Sequence, residues 1–174
     1  MHNLRRGVLA ARGQRVLFAD ADNSTPIEEL PRLLAKLDEG YDLAVGSRAA
    51  EGAKEENKSL VRHLASWGLR SLARWLSGVR LKDTQCGFKL FSRKAVQELF
   101  PRQRMMGFSF DLELLYLANR LGLKVAEVPV RWFDAPSSKV DPVKDSLKFL
   151  KDILAIRRLD REGAYQSPTT EVGN

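Results

Sequence analysis

Short apolar runs alternate along this chain with longer amphipathic ones, and that alternation constrains the fold more than any other feature. RVLFAD (Arg15 to Asp20), YDLAVGSR (Tyr41 to Arg48) and CGFKLFS (Cys86 to Ser92) have the length and apolar character of buried strands. Lys124 to Phe133 is a further β-rich run. Between them lie residues at helical spacing. Met1 to Gly13 places Leu4, Val8 and Ala11 on one face, with Gly13 as a stop and no N-cap before it. Thr25-Pro26-Ile27-Glu28 fits a capping box ahead of Leu30, Leu33, Leu34 and Leu37, and Gly40 closes that helix. Further helices are expected over Leu60 to Gly78, Lys94 to Phe100, Asp111 to Leu121 and Asp145 to Leu159. Strands alternating with helices of about a dozen residues predict an α/β sheet, parallel at least in its first part.

Composition narrows the function. With one cysteine, Cys86, and two histidines, His2 and His63, the chain has neither a disulfide framework nor a Cys/His zinc cluster, so any metal must use oxygen ligands. No apolar run approaches the roughly 18 residues of a membrane span, and the start MHNLRRG has no secretory h-region. The formal charge is +7, and the surplus is local: Lys58 to Lys94 carries nine basic residues against one acidic. That concentration points to an anionic partner, either phosphate groups, an acidic membrane surface or nucleic acid. The segment has no nucleic-acid motif, and no nucleic-acid partner is expected. Trp67, Arg70, Arg74 and Trp75 share its helix, a combination suited to a bilayer headgroup layer as well as to core packing.

The sharpest chemical feature is Asp20-Ala21-Asp22. Two carboxylates one residue apart, at the carboxyl end of a buried strand, stand where open α/β sheets bind ligands. Hard oxygen donors of this kind suit Mg²⁺ or Mn²⁺ bridging a diphosphate, and equally suit an acidic turn capping the next helix. Phosphatases of the haloacid dehalogenase class also end a strand in D-x-D, with the first aspartate as covalent nucleophile. Those enzymes require a later acidic pair, whereas the later segment here reads Asp83-Thr84-Gln85-Cys86-Gly87-Phe88-Lys89.

Taken together, FADAD (Phe18 to Asp22), VGSR (Val45 to Arg48), DTQCGFKLF (Asp83 to Phe91), VPVRW (Val128 to Trp132) and SSKV (Ser137 to Val140), in this order, resemble the family 2 glycosyltransferases. Within that family the chain looks most like the dolichyl-phosphate β-glucosyltransferases, with the mannose synthases as close relatives. The resemblance implies a GT-A-like fold, a mixed and largely parallel sheet flanked by helices. It implies inverting glucosyl transfer from UDP-glucose to dolichyl phosphate with Mg²⁺ or Mn²⁺ as cofactor; transfer from GDP-mannose is the alternative. Asp20 and Asp22 fall on the positions that bind metal and donor diphosphate, and Asp83 on the acidic residue beside the reacting sugar. Gln85, Gly87, Phe88 and Lys89 fall on the acceptor-side segment, and Arg131 and Lys139 on basic positions toward the phosphates. The implied location is the cytosolic face of the endoplasmic reticulum membrane.

Members of the family begin with a β-α-β-α-β half that holds the base and ribose, and this chain opens at the last turns of that half's final helix. The expectation is therefore an N-terminally truncated form lacking the nucleotide-binding half. Its domain would run over residues 1–159, followed by a polar, disordered tail over 160–174. Transfer is expected to be impaired in it, and the opposing expectation is an inactive fragment with membrane-surface or partner binding only.

Overall fold

The computed structural model describes residues 2–48, 78, 81–105, 109–133 and 142–166. Four strands form one sheet: β1 (Arg15–Ala19), β2 (Leu43–Ser47), β3 (Phe88–Ser92) and β4 (Val125–Pro129), in the spatial order β1-β3-β2-β4. β2 and β4 are parallel, with Leu43 opposite Val125 and Ser47 opposite Pro129. β3 runs against both of its neighbours, setting Lys89 opposite Phe18 on one side and Val45 on the other. The sheet is thus mixed: β1, β2 and β4 share a direction, and β3 is inserted between the first two in the opposite sense.

Five α-helices cover the sheet among the described residues: α1 (His2–Ala10), α2 (Leu30–Asp38), α3 (Arg93–Leu99), α4 (Phe110–Arg120) and α5 (Pro142–Arg161). Side chains on a strand alternate between faces, and the two faces serve two cores. On one, Val16, Leu43, Val45 and Phe91 pack with Val8 of α1, Leu99 of α3, Leu114 and Leu117 of α4, and Ile153 and Ile156 of α5. On the other, Leu33 of α2 meets Ala44, Phe88, Leu90 and Val128. Every residue of β2 is buried, as a strand covered on both sides must be. Ser92 ends β3 and caps α3, its hydroxyl accepting from Ala95 N at 3.1 Å.

Two expectations need correction. Thr25 does not cap a helix. Pro26 is followed by a 3₁₀ turn (Ile27–Glu29), and α2 starts only at Leu30 with Glu29 in the cap position. Pro31 explains the offset: it has no N–H to give to the carbonyl four residues earlier, and its ring crowds that carbonyl, so the α-helix cannot run back to Pro26. The second concerns the end of the chain. Residues 160–166 were expected in a polar tail, yet α5 continues to Arg161 and turns carry the chain on to Tyr165, which is 2% exposed. The Tyr165 hydroxyl donates to Glu113 Oε1 at 2.7 Å, and Tyr116 of α4 donates to Asp160 at 2.6 Å. An aromatic ring with a buried acceptor for its hydroxyl makes this turn part of the core.

The helix expected over Leu60 to Gly78, with Trp67, Arg70, Arg74 and Trp75, lies outside the described residues except for Gly78, as does Lys139. No helix among the described residues is long and apolar enough to cross a membrane.

Candidate active site at the carboxyl edge of the sheet

β1, β2 and β4 end at the same edge, where Asp20, Arg48 and Val130 follow them. β1 delivers Asp20. Its backbone N–H donates to Gly87 O at 2.8 Å, continuing the pairing of β1 with β3 one residue past the strand. The Asp20 carboxylate lies so close to Gly87 that a Cβ at residue 87 would sit 1.7 Å from Asp20 Oδ2. A side chain at 87 would displace the Asp20 carboxylate from this position. Two residues on, Asp22 Oδ1 accepts from Ser24 N at 2.9 Å, an Asx turn that reverses the chain, and Asn23 between them has a φ of 56°.

The two carboxylates differ electrostatically. Partial desolvation against Gly87, and next the neighbouring Asp22 charge, raise the Asp20 pKa above its ordinary value, while Lys89 and Arg48 pull it back in part. Asp22 is lowered, first by the Ser24 backbone bond and then by the Ser24 hydroxyl.

β2 delivers Arg48, whose guanidinium grips Asp83 with both arms. Arg48 Nε lies 2.7 Å from Asp83 Oδ2, Arg48 Nη2 3.0 Å from Oδ1, and the Arg48 backbone N–H reaches Oδ2 at 3.0 Å. Gln85 N donates to Oδ1 at 3.1 Å. A carboxylate offers about four lone-pair positions, and here all are used. Burial of Asp83 acts to raise its pKa, but the Arg48 contacts outweigh it and the net shift is downward. Glu127 of β4 steadies the same loop from below, accepting the backbone N–H groups of Lys82 and Asp83, each at 3.0 Å to Oε1. The Arg48 guanidinium also stands over the Trp132 ring, 5.3 Å from its centroid.

β4 leads into Val130 to Phe133, which folds back along the loop after β1. Phe133 N donates to Ser24 O at 2.9 Å, and Arg32 donates to Pro129 O at 2.7 Å. Arg131 is paired with Glu29, whose buried carboxylate also takes Arg32 at 3.0 Å. Burial pushes the Glu29 pKa up, but the two guanidiniums reverse this and hold it low.

Of the residues singled out from sequence, the structure brings Asp20, Asp22, Asp83, Gln85, Gly87 and Arg131 to this edge. Phe88 and Lys89, expected on the acceptor-side segment, do not present their side chains at this edge. Both are buried within β3, Phe88 in the core under α2, and Lys89 on the opposite face, where its ammonium forms an ion pair with Asp111 at 2.8 Å. Strand alternation sends the two side chains to the two interiors, so neither is presented at the surface. Sequence reasoning missed Asp111, Glu127 and Glu29. For Asp111 there was a signal: a lysine set between Phe88 and Leu90 in a buried strand demands a counter-ion. Among the described residues no group of three or more acidic, histidine or cysteine side chains is arranged to hold a metal. A cation here would rest on Asp20 and Asp22 and take its remaining ligands from elsewhere.

The chain is similar to known proteins in sequence and in fold. The dolichyl-phosphate beta-glucosyltransferase of Drosophila melanogaster is 39% identical over 163 residues, covering 88% of this chain and 49% of the relative. The human protein of the same name is 34% identical over 178 residues, covering 98% and 55%. The chain thus spans about half the length of the curated relatives it matches. In structure it is similar to glucosyl-3-phosphoglycerate synthase from Mycobacterium tuberculosis in complex with UDP, with a TM-score of 0.60 and 25% identity over 88% of this chain and 53% of that one. A structure of the same enzyme with Mn²⁺, UDP and glucosyl-3-phosphoglycerate matches with a TM-score of 0.56 and 25% identity over 92% and 53%. The family model described as glycosyl transferase family 2 matches residues 2–100, more than half of the chain. Motif order, mixed sheet and sequence similarity agree, and the chain belongs to glycosyl transferase family 2.

Proposed function

We propose that this chain carries the metal-binding and acceptor-side part of an inverting transfer of glucose from UDP-glucose to dolichyl phosphate, at the cytosolic face of the endoplasmic reticulum membrane. The observation that carries the proposal is the convergence at one sheet edge of the Asp20-Ala21-Asp22 carboxylates and the Arg48–Asp83 pair. The names of the curated relatives support the acceptor and the glucosyl group, and the UDP held by the similar synthase structures supports the nucleotide.

The residues fit a divalent metal. Asp20 and Asp22 are exposed hard-oxygen donors one residue apart; desolvation first and then the Asp22 charge raise the Asp20 pKa, and a dication would relieve the repulsion between the two. Mg²⁺ and Mn²⁺ sites of this kind use one or two carboxylates and complete their shell with phosphate oxygens and water. Bound there, the metal would neutralise charge building on the departing diphosphate.

The chain's own residues do the remaining work. Asp83, with its lone pairs filled, does not abstract a proton; it fixes the Arg48 guanidinium at the edge. The proposed acceptor needs no strong base, because a phosphate monoester, with a second pKa of about 6, is already largely ionised at neutral pH. Arg48, held on one side by Asp83 and on another by the Trp132 ring, is a preorganised cation in a half-buried position, where its charge acts more strongly on an anion than in open water.

Calorimetry of UDP and of UDP-glucose with the 174-residue chain, with Mn²⁺ or Mg²⁺ present, tests the reading. Binding that requires the metal and is lost in both Asp20→Ala and Asp22→Ala is the expected result. Metal-independent binding, or binding that survives both substitutions, overturns the metal role. GDP-mannose binding more tightly than UDP-glucose overturns the donor.

A further inference from the structure

Lys89 is the most deeply buried charge near the site. It lies in the middle of β3, bonded to strands on both sides, and its side chain is 1% exposed. Strand alternation turns it toward the face covered by α4. Its ammonium forms an ion pair with Asp111 Oδ1 at 2.8 Å, in the first turn of α4, and donates to the Cys86 carbonyl at 2.5 Å. Asp111 is itself only 7% exposed. A buried ion pair is commonly neutral or unfavourable relative to apolar residues of the same volume, so stability by itself does not account for this one.

The location of the Cys86 bond is informative. Cys86 precedes Gly87, and Gly87 is the residue on which Asp20 is seated, through its carbonyl and through the close approach of its Cα. Lys89 therefore ties down the turn that carries the seat of the first metal-binding carboxylate. Arg48 is paired with Asp83 and Lys89 with Asp111.

We propose that Lys89 is a positioning residue: anchored by Asp111, it holds the Cys86-Gly87 turn in place and thereby fixes the Asp20 carboxylate for a divalent cation. The proposal rests on the metal reading above for its consequence, but the tie itself is independent of metal.

The test combines two measurements on the 174-residue chain. The variant is Lys89→Met with Asp111→Asn, which removes the tie without leaving an unpaired buried charge and so keeps the fold; its thermal melt is compared with that of the wild type. Mn²⁺ alone is titrated by electron paramagnetic resonance, and hydrogen exchange is followed at the Asp20 amide. The expected result is a folded double variant whose Mn²⁺ affinity falls about tenfold or more, the scale for loss of a group that orients a metal ligand, and whose Asp20 amide loses protection. Lys89→Met alone sharpens the sign: if the ammonium acted only as a nearby positive charge, its removal would tighten Mn²⁺ binding, whereas loss of positioning weakens it. A folded double variant with unchanged Asp20 protection overturns the proposal, and so does tighter Mn²⁺ binding by Lys89→Met. If wild-type Mn²⁺ binding does not depend on Asp20, the metal reading fails. The tie is then judged on the amide alone, its loss of protection supporting positioning and its retention overturning it.

Discussion

Asp83 and Arg48 face each other across the carboxyl edge of the sheet with both carboxylate oxygens engaged by the guanidinium, at 2.7 and 3.0 Å. Residues 35 positions apart in sequence are thereby locked as one unit. A lone aspartate in a loop is available as a base; an aspartate in a two-armed arginine clamp, with Gln85 N on its remaining lone pair, is a fixture.

This clamp predicts an acid-dependent stability. The Asp83 pKa is lowered in the folded chain, so its contribution is fully present above the unfolded value of about 4 and is lost as pH falls through the lower folded value. Arg48→Met removes the cation and leaves a buried carboxylate with fewer donors, at a cost of about 1–3 kcal/mol at neutral pH. Urea unfolding followed from pH 7 to pH 3 should show the variant losing less stability on acidification than the wild type.

Gly87→Ala should abolish Mn²⁺ binding at the proposed Asp20 and Asp22 site with little effect on the fold. The added methyl would lie 1.7 Å from Asp20 Oδ2, so the carboxylate must swing away. Gly87 is not among the glycines of positive φ, so the backbone tolerates alanine. Mn²⁺ titration combined with a thermal melt checks both halves: lost binding, and a melting temperature close to that of the wild type.

Asn23 holds a left-handed backbone, φ 56°, between Asp22 and Ser24. Asn23→Gly should preserve or slightly raise stability. Asn23→Val, which places a β-branched side chain in that region, should cost about 1–2 kcal/mol and weaken Mn²⁺ binding by disturbing the Asp22 turn. Equilibrium unfolding of the two variants side by side reads the difference.

Tyr165→Ala should destabilise the chain by about 3 kcal/mol or more, as for other buried aromatic truncations. Tyr165→Phe, which keeps the ring but deprives Glu113 of one donor, should cost about 1 kcal/mol, because the Arg104 and Met105 amides still serve that carboxylate. Were residues 160–166 a free tail, both substitutions would be silent in a denaturant titration.

Much of this protein was determined by local sequence. Strand runs such as Arg15 to Asp20 and helical spacings such as Leu30, Leu33, Leu34 and Leu37 define elements through periodicity, a property of neighbouring residues, and the structure places β1 and α2 on them. The Asp20-Ala21-Asp22 motif was equally local, because the end of a buried strand already fixes where its next side chains emerge. The antiparallel insertion of β3 between β1 and β2 could not be read in this way, since strand order depends on pairings between distant segments. Nor could the partners of buried charges. Lys89 with Asp111, Glu29 with Arg131, Asp83 with Arg48 and Glu113 with Tyr165 each join residues far apart in the chain. A buried charge states only that it must be compensated, and many acidic and basic residues could do so. Which one does is decided when the helices close over the sheet, because the low-dielectric interior admits only charges that arrive paired.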